Sequence, residues 1–277
     1  MNSTKKSPED LKIHLVQMSS SPDLESNLVD CRKIIQQASA EGNDLVIFPE
    51  CALTWAKTEV THQLAKTEAD WVTLLAEDSK KYSIAIIWGG LAERDGEKIY
   101  NSSFVFDHDG TLLGIYRKTH LFQIFASDSL SVDETETYTH GNSGPMIVNI
   151  KDWSLGISIC YDLRFPEFLR SYAGCDLIVN TAAFTRRTGR AHWEVLMRAR
   201  AIENQAYMIG SCQTGINKLS GISAYGHSML VDPWGKVLCD LESDVKSQSL
   251  ILEYKSIEKT RALVPALYTS FPDLRET

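Results

Sequence analysis

The chain has 277 residues, 43% of them apolar and 23% charged, with a formal net charge of -8. That composition supplies a large core and excludes a chain disordered throughout, and the acidic balance gives no electrostatic reason to bind nucleic acid or an anionic membrane. The polar start MNSTKKSPED has no apolar signal core, and no apolar run approaches the ~18 residues of a membrane span, so a cytoplasmic protein with no membrane partner is expected.

The elements follow in chain order. Residues 11–18 (LKIHLVQM) alternate and then run apolar, which predicts a strand. Ser21, Pro22 and Asp23 make a turn. Residues 27–40 place Leu28, Ile34, Ile35 and Ala38 on one helical face, and Gly42 and Asn43 end the helix. Residues 45–48 (LVIF) are a buried strand, stopped by Pro49 and followed by Glu50. A second helix spans 67–82 with Trp71, Leu74, Leu75 and Ala76 inward. The next strand covers 84–91 and ends at Gly89 and Gly90. Residues 100–106 and 111–116 form a hairpin that turns at Asp109 and Gly110.

Residues 118–143 keep no clean period and carry Asp128, Asp133, Glu134 and Glu136. An irregular loop of that length in a packed domain is usually functional or disordered. Strands are expected at 146–149, 155–159 and 177–180, with a short helix at 168–173. A longer amphipathic helix at 189–205 sets Trp193, Leu196, Met197 and Ala201 at helical spacing. Strands at 207–212, 224–231, 236–240 and 249–254 precede a short helix to Leu263 and a tail. With no repeat, linker or composition break, this mixture predicts one layered α/β domain, 1–277, with a mixed sheet.

Three reactive side chains each follow an apolar run. Glu50 closes FPE, Lys118 closes YRK, and Cys160 closes SIC. Strand ends are where α/β sheets place their sites. Alone, each has a bland reading: a solvated Glu, a surface Lys, a buried thiol packing as a small hydrophobe. Pro166 is well placed to open a helix, and a thiol at a strand end before a helix start can be exposed and made more acidic. Together the three support acyl transfer. Cys160 would attack a carbonyl carbon and form a thioester, Glu50 would move the protons, and Lys118 with the Tyr161 backbone N–H would meet the oxyanion. The rival is Cys–His catalysis, with His120, His192 and His227 in site-like contexts, the last two as readily core or supporting groups. The six cysteines (Cys31, Cys51, Cys160, Cys175, Cys212, Cys239) include no CxxC pair and no zinc-finger spacing, so a reducing compartment and no metal are expected.

FPE at Glu50, YRKTHLF at Lys118 and ICYDLRFPE at Cys160 resemble the carbon–nitrogen hydrolase, or nitrilase, superfamily. The resemblance runs from Lys12 to the tail. It includes YNS at 100–102, TGRAHWEVLMRARAIENQAY at 188–207 and AYGHSMLVDPWG at 224–235. It implies a four-layer α-β-β-α sandwich with mixed sheets and a Glu-Lys-Cys triad at Glu50, Lys118 and Cys160. The blocks look most like the Nit-type branch. That implies an enzyme for the terminal carboxamide of a small carboxylated substrate, deaminated glutathione or an omega-amide such as ketoglutaramate, releasing ammonia. Nitriles, N-carbamoyl compounds and aliphatic amides are the alternative substrates within the superfamily. No cofactor is implied, and the partner is a small-molecule amide.

The family's second glutamate, in the loop after the lysine, maps to Glu134, with Glu136 the runner-up. Arg164, Phe184 and Thr188 map to the substrate pocket with Tyr161. Arg164 reads equally as a clamp for a substrate carboxylate or as a brace for its own loop. Branch relatives usually have proline before AHWE where this chain has Arg190. With Arg186 and Arg187 it makes a basic loop, read as solvated or as favouring a more acidic substrate. The loop at 123–132 lacks the Pro-Gly typical there. Trp193, Tyr207 and Trp234 read as core or interface. The resemblance implies a homodimer or higher homo-oligomer, packed through 166–173, 189–205 and 256–277.

Overall fold

The computed structural model describes residues 7–125, 132–217, 219 and 221–267. β1 (Leu11–Gln17), β2 (Leu45–Ile47), β3 (Lys66–Thr67), β4 (Ala85–Asp95), β5 (Lys98–Phe106) and β6 (Leu112–Arg117) build a first sheet. β7 (Gln123–Ile124) and β8 (Val132–Asp133) pair as a small ribbon. A second sheet holds β9 (Met146–Ile150), β10 (Trp153–Ile159), β11 (Leu177–Ala182), β12 (Tyr207–Cys212), β13 (Met229–Val231) and β14 (Val237–Asp240). β15 (Lys246–Leu252) then returns to the first sheet beside β1. The sheet orders are β15-β1-β2-β4-β5-β6, with β3 beside β4, and β14-β13-β12-β11-β10-β9. Each sheet has a parallel centre, β1-β2-β4 in one and β10-β11-β12 in the other, flanked by antiparallel strands.

The central strands are buried on both faces, so alternate residues enter two different cores. Leu11, Ile13, Leu15, Leu45, Ile47, Ala85 and Ile87 meet the second sheet. Val16, Val46, Phe48, Ile86 and Trp88 point the other way. There they pack on α1 (Leu24–Ala40), which contributes Leu28, Cys31 and Ile35, and α3 (Glu68–Tyr82), which contributes Trp71 and Leu75, while α2 (Thr58–Leu64) adds only the partly buried Leu64. α3 starts with a capping box in which Thr67 and Asp70 satisfy each other's backbone N–H. α4 (Pro166–Arg170) and α5 (Arg186–Asn204) cover the outer face of the second sheet, and α6 (Tyr254–Leu263) closes the described chain. On α5, Trp193 is fully buried and sits so close to Gly210 that a Cβ there would lie 2.3 Å from its ring. The result is the four-layer α-β-β-α sandwich that the resemblance implied.

Several expectations need correction. β4 does not stop at Gly89 and Gly90 but crosses them to Asp95, with its pairing to β5 slipping between Trp88 and Leu91. α2 escaped notice because TEVTHQL has no apolar period and buries only Thr61. The strand expected over 224–231 shrinks to β13, since Gly226 and His227 take left-handed backbone (φ 74° and 55°) that a strand cannot hold. Arg186, Arg187 and Arg190 belong to the first turns of α5, not to a loop. Trp193 and Tyr207 are core, whereas Trp234 is 57% exposed. The missing Pro-Gly of the 123–132 loop falls largely on residues 126–131, and most of the tail on 268–277, both outside the described residues. Among the described residues, no helix is long and apolar enough to cross a membrane.

Candidate active site

β2 and β4 are parallel, and β6 regains their direction after two antiparallel steps, so their carboxyl ends share one edge of the first sheet. β10 and β11 bring their carboxyl ends together in the second sheet. Glu50 and Lys118 follow strands of the first sheet, and Cys160 and Ala183 follow strands of the second. All four line one cavity of about 470 Å3, together with Glu134. The two sheets thus contribute opposite halves of the site.

Glu50 reaches the cavity because its backbone lies directly against β4. A Cβ on Gly89 would fall 2.5 Å from the Pro49 carbonyl oxygen, and one on Gly90 (φ 58°) 2.6 Å from Glu50 Cγ. Only glycine allows that approach. Glu50 is 3% exposed. Its Oε1 accepts from Lys118 Nζ at 2.8 Å and from Asn101 Nδ2 at 2.9 Å. Its Oε2 accepts from the Ala183 backbone N–H at 2.8 Å, a tie across the two sheets.

Lys118 is 1% exposed and lies between two carboxylates. Its second partner is Glu134, whose Oε2 is 2.7 Å from Nζ and also accepts from the Phe122 N–H at 2.7 Å. Glu136 is exposed and does not touch the ammonium, so Glu134 is the second glutamate at the lysine. Burial alone would lower the Lys118 pKa. Glu134 and Glu50 outweigh it and hold the ammonium well above its ordinary range, so it stays charged.

Cys160 takes left-handed backbone (φ 45°), unusual for a residue with a Cβ, and opens a 3-10 turn over Cys160–Arg164. Such a conformation costs about 1–3 kcal/mol and persists where the surroundings impose it. Here Asp162, fully buried, imposes it. It accepts from the Ile159 N–H at 3.0 Å, Tyr116 Oη at 2.7 Å, and the His120 N–H and Nδ1 at 3.0 and 2.8 Å. One carboxylate therefore clamps the Cys160 turn to the strand end that carries Lys118. The thiol is not more acidic than usual. Burial, then the Glu50 charge, push it well above its ordinary range, against the opposing pull of Lys118.

Among the described residues, no histidine hydrogen-bonds to Cys160. His120 serves Asp162, His192 meets Arg164, and His227 stacks on Tyr225 and pairs with Asp240. Among the described residues, no group of three or more His, Cys, Asp or Glu side chains is arranged to hold a metal.

Tyr161, Arg164, Phe184 and Thr188 come together around an inner pocket of about 20 Å3 whose floor includes Cys160. The Arg164 guanidinium lies 5.1 Å from the Phe184 ring centroid and 5.7 Å from that of Tyr161, and it meets His192 Nδ1 at 3.0 Å. No carboxylate pairs with it among the described residues, and burial lowers its pKa. A half-buried guanidinium without a counter-ion, facing a cavity, suits a substrate carboxylate. Arg186 and Arg187 border a further cavity of about 210 Å3 that shares Thr185 with both others; Arg190 does not reach it.

The sequence reading missed Asn101 and Ala183. Ala183 acts through its backbone and leaves no trace in residue type. Asn101 leaves one: it is a buried asparagine in a strand, where that residue is depleted, inside the YNS block.

Comparison with known proteins identifies the family. A profile of the family described as carbon-nitrogen hydrolase matches residues 12–258. The chain is 36% identical to omega-amidase NIT2-A of Xenopus laevis over 257 residues, 92% of either chain. It is 34% identical to omega-amidase NIT2 of Homo sapiens over 266 residues, 95% of this chain and 96% of that one. Among solved structures, Saccharomyces cerevisiae Nit3, described as a member of branch 10 of the nitrilase superfamily, superposes with a TM-score of 0.85 at 32% identity, covering 100% of both chains. The C. elegans NitFhit protein superposes with a TM-score of 0.90 at 32% identity over 97% of this chain and 67% of that one. A profile that spans nearly all the described strands, and relatives matched end to end, lead to one conclusion: the chain belongs to the carbon–nitrogen hydrolase family, in its Nit-type branch.

Proposed function

We propose that this chain is a single-domain amidase that hydrolyses the terminal carboxamide of a small carboxylated substrate, an omega-amide such as ketoglutaramate, through a thioester on Cys160. The observation that carries it is the convergence of Glu50, Lys118, Glu134 and Cys160 on one cavity, with Arg164, which has no carboxylate partner among the described residues, beside the thiol. The names of the relatives support the omega-amide over other amides.

The raised thiol sets the order of events. At neutral pH Cys160 rests protonated, so attack needs a base, and Glu50 is the carboxylate whose charge the thiol feels most. Glu50 removes the thiol proton as sulfur bonds to the amide carbon. The Lys118 ammonium and the Tyr161 N–H, in the first turn after the nucleophile, meet the oxyanion; each such donor contributes about 3–4 kcal/mol. Collapse breaks the C–N bond, and Glu50 returns its proton to nitrogen, releasing ammonia and leaving the thioester. Water then attacks the thioester while Glu50 takes its proton. The carbon–sulfur bond breaks, and the proton goes back to Cys160. Glu134 keeps Lys118 charged and aimed. Arg164 pairs with the substrate carboxylate, and Phe184, Thr188 and Tyr161 shape the wall.

All six cysteines are free, which supports a reducing compartment such as the cytoplasm. Val195 and Ile202 on α5 are 67% and 51% exposed, and Trp234 is exposed too, which supports assembly into a homodimer or higher oligomer through this face. A panel of ketoglutaramate, deaminated glutathione, simple amides, N-carbamoyl compounds and nitriles tests the reading. Ammonia from ketoglutaramate, lost in Cys160→Ala with the fold intact, is the expected result. Retained turnover in Cys160→Ala would sink the nucleophile assignment.

A further inference from the structure

We infer that Asn101 is a positioning residue that fixes which oxygen of Glu50 acts as the base. Asn101 is 1% exposed and sits on β5, where its backbone carbonyl accepts the Lys118 N–H at 2.8 Å. Its side-chain amide donates to Glu50 Oε1 at 2.9 Å and to Glu134 Oε1 at 2.8 Å. The rotated amide would aim its oxygen at two carboxylates, so the two glutamates dictate this orientation. It has a cost: Asn101 Oδ1 is buried and accepts no hydrogen bond from the protein. Both amide hydrogens are committed to carboxylates while the carbonyl goes without.

The consequence lies in how the lone pairs are shared. Glu50 Oε1 receives two donors, Lys118 Nζ and Asn101 Nδ2, whereas Oε2 receives the Ala183 N–H. Ala183 follows β11, which pairs with β10 just ahead of Cys160, so Oε2 is the oxygen turned toward the sheet that carries the thiol. Asn101 saturates the far oxygen and leaves the near one with room for a proton. By holding Glu134 with the same amide, it also keeps the ammonium shared between the two carboxylates instead of collapsing onto Glu50.

This role rests on the amidase reading above. The test measures steady-state ammonia release by full-length Asn101→Ala and Asn101→Asp on the amide the wild type turns over, from about pH 5 to 9. The titratable groups facing Glu50 and Glu134 are Lys118, Cys160, Cys51, Cys212 and Tyr138, and the last three are held well above their ordinary ranges by burial, so they stay neutral through the window. Asn101→Ala is expected to lower kcat about ten- to a hundredfold with KM changed less than about twofold, and to move the acidic limb of the profile to higher pH. Asn101→Asp, equal in shape, should lose at least as much at neutral pH and regain part toward acid, where its own carboxyl can donate. In a variant that melts as a folded protein, a kcat within about twofold of wild type and an unmoved acidic limb overturn the role. So does a loss confined to melting temperature. Wild-type protein that releases no ammonia from any amide overturns the amidase reading, and this role with it, whereas an active wild type beside unaffected variants overturns the role alone.

Discussion

Lys118 Nζ lies 2.7 Å from Glu134 Oε2 in a site where the lysine side chain is 1% and the glutamate side chain 14% exposed. Breaking one side of a pair this buried typically costs about 3–5 kcal/mol. Glu50 still holds the ammonium in Glu134→Gln, so the expected stability loss is nearer 1–3 kcal/mol. The kcat should fall by about a hundredfold, because a lysine drawn onto Glu50 weakens both oxyanion contact and base. Glu136→Gln, at an exposed position, should change neither. Urea unfolding beside ammonia release separates the two glutamates.

The raised Cys160 thiol has a direct readout. Its thiolate population should keep rising with pH through the neutral range, so alkylation by iodoacetamide, followed on the Cys160 peptide, should accelerate from about pH 7 to 9 without a plateau. Burial is the larger cause and the Glu50 charge the next. Removing that charge in Glu50→Gln therefore shifts the labelling limb to lower pH while amide turnover disappears. A plateau already reached at pH 7 in the wild type would mean a resting thiolate, with no thiol proton for Glu50 to remove.

Arg164→Gln keeps polarity and removes the cation. For carboxylated amides, loss of a charge-assisted pair of about 1.5–3 kcal/mol should raise KM about ten- to a hundredfold. Neutral aliphatic amides should be nearly indifferent. Comparing the ratio of kcat/KM for the two substrate types in both proteins checks it. If Arg164 only braces its loop, both substrate types suffer alike.

Asp162→Ala strips the acceptor from four donors on three segments. Leaving several buried donors unsatisfied should destabilise the protein by about 3–5 kcal/mol, visible as a lower urea midpoint at unchanged m-value. Activity should fall further than that of the folded fraction, because Cys160 then loses the clamp on its left-handed backbone.

The strand ends that carry Glu50, Lys118 and Cys160 were legible because an apolar run that stops at a reactive residue is a local pattern. Arg164, Phe184 and Thr188 were legible only through resemblance, and the structure does gather them around one pocket. Other features were hidden for physical reasons. The sequence leaves open whether the Cys160 thiol is exposed and acidic or buried, because a helix start acts on it locally, whereas burial and Glu50, which raise it, act through space. β4 was cut short at Gly89 and Gly90 because glycines that usually end strands here make room for Pro49 and Glu50. α2 has no apolar face to announce it, and the first turn of α5 passed for a loop because three arginines in TRRTGR mask its start.

The bond between Ala183 and Glu50 spans the seam between the sheets, and it makes catalysis a gauge of how well the two halves are docked. Each sheet can keep its own hydrogen-bond ladder while the seam loosens, because those ladders lie within a sheet and the site does not. A small slip of one sheet over the other would part Glu50 from Cys160 before any strand melts. On gentle heating, ammonia release should therefore fade ahead of the far-ultraviolet circular dichroism signal. An inhibitor that bridged both walls of the cleft should act as a clasp, closing the gap between those two curves.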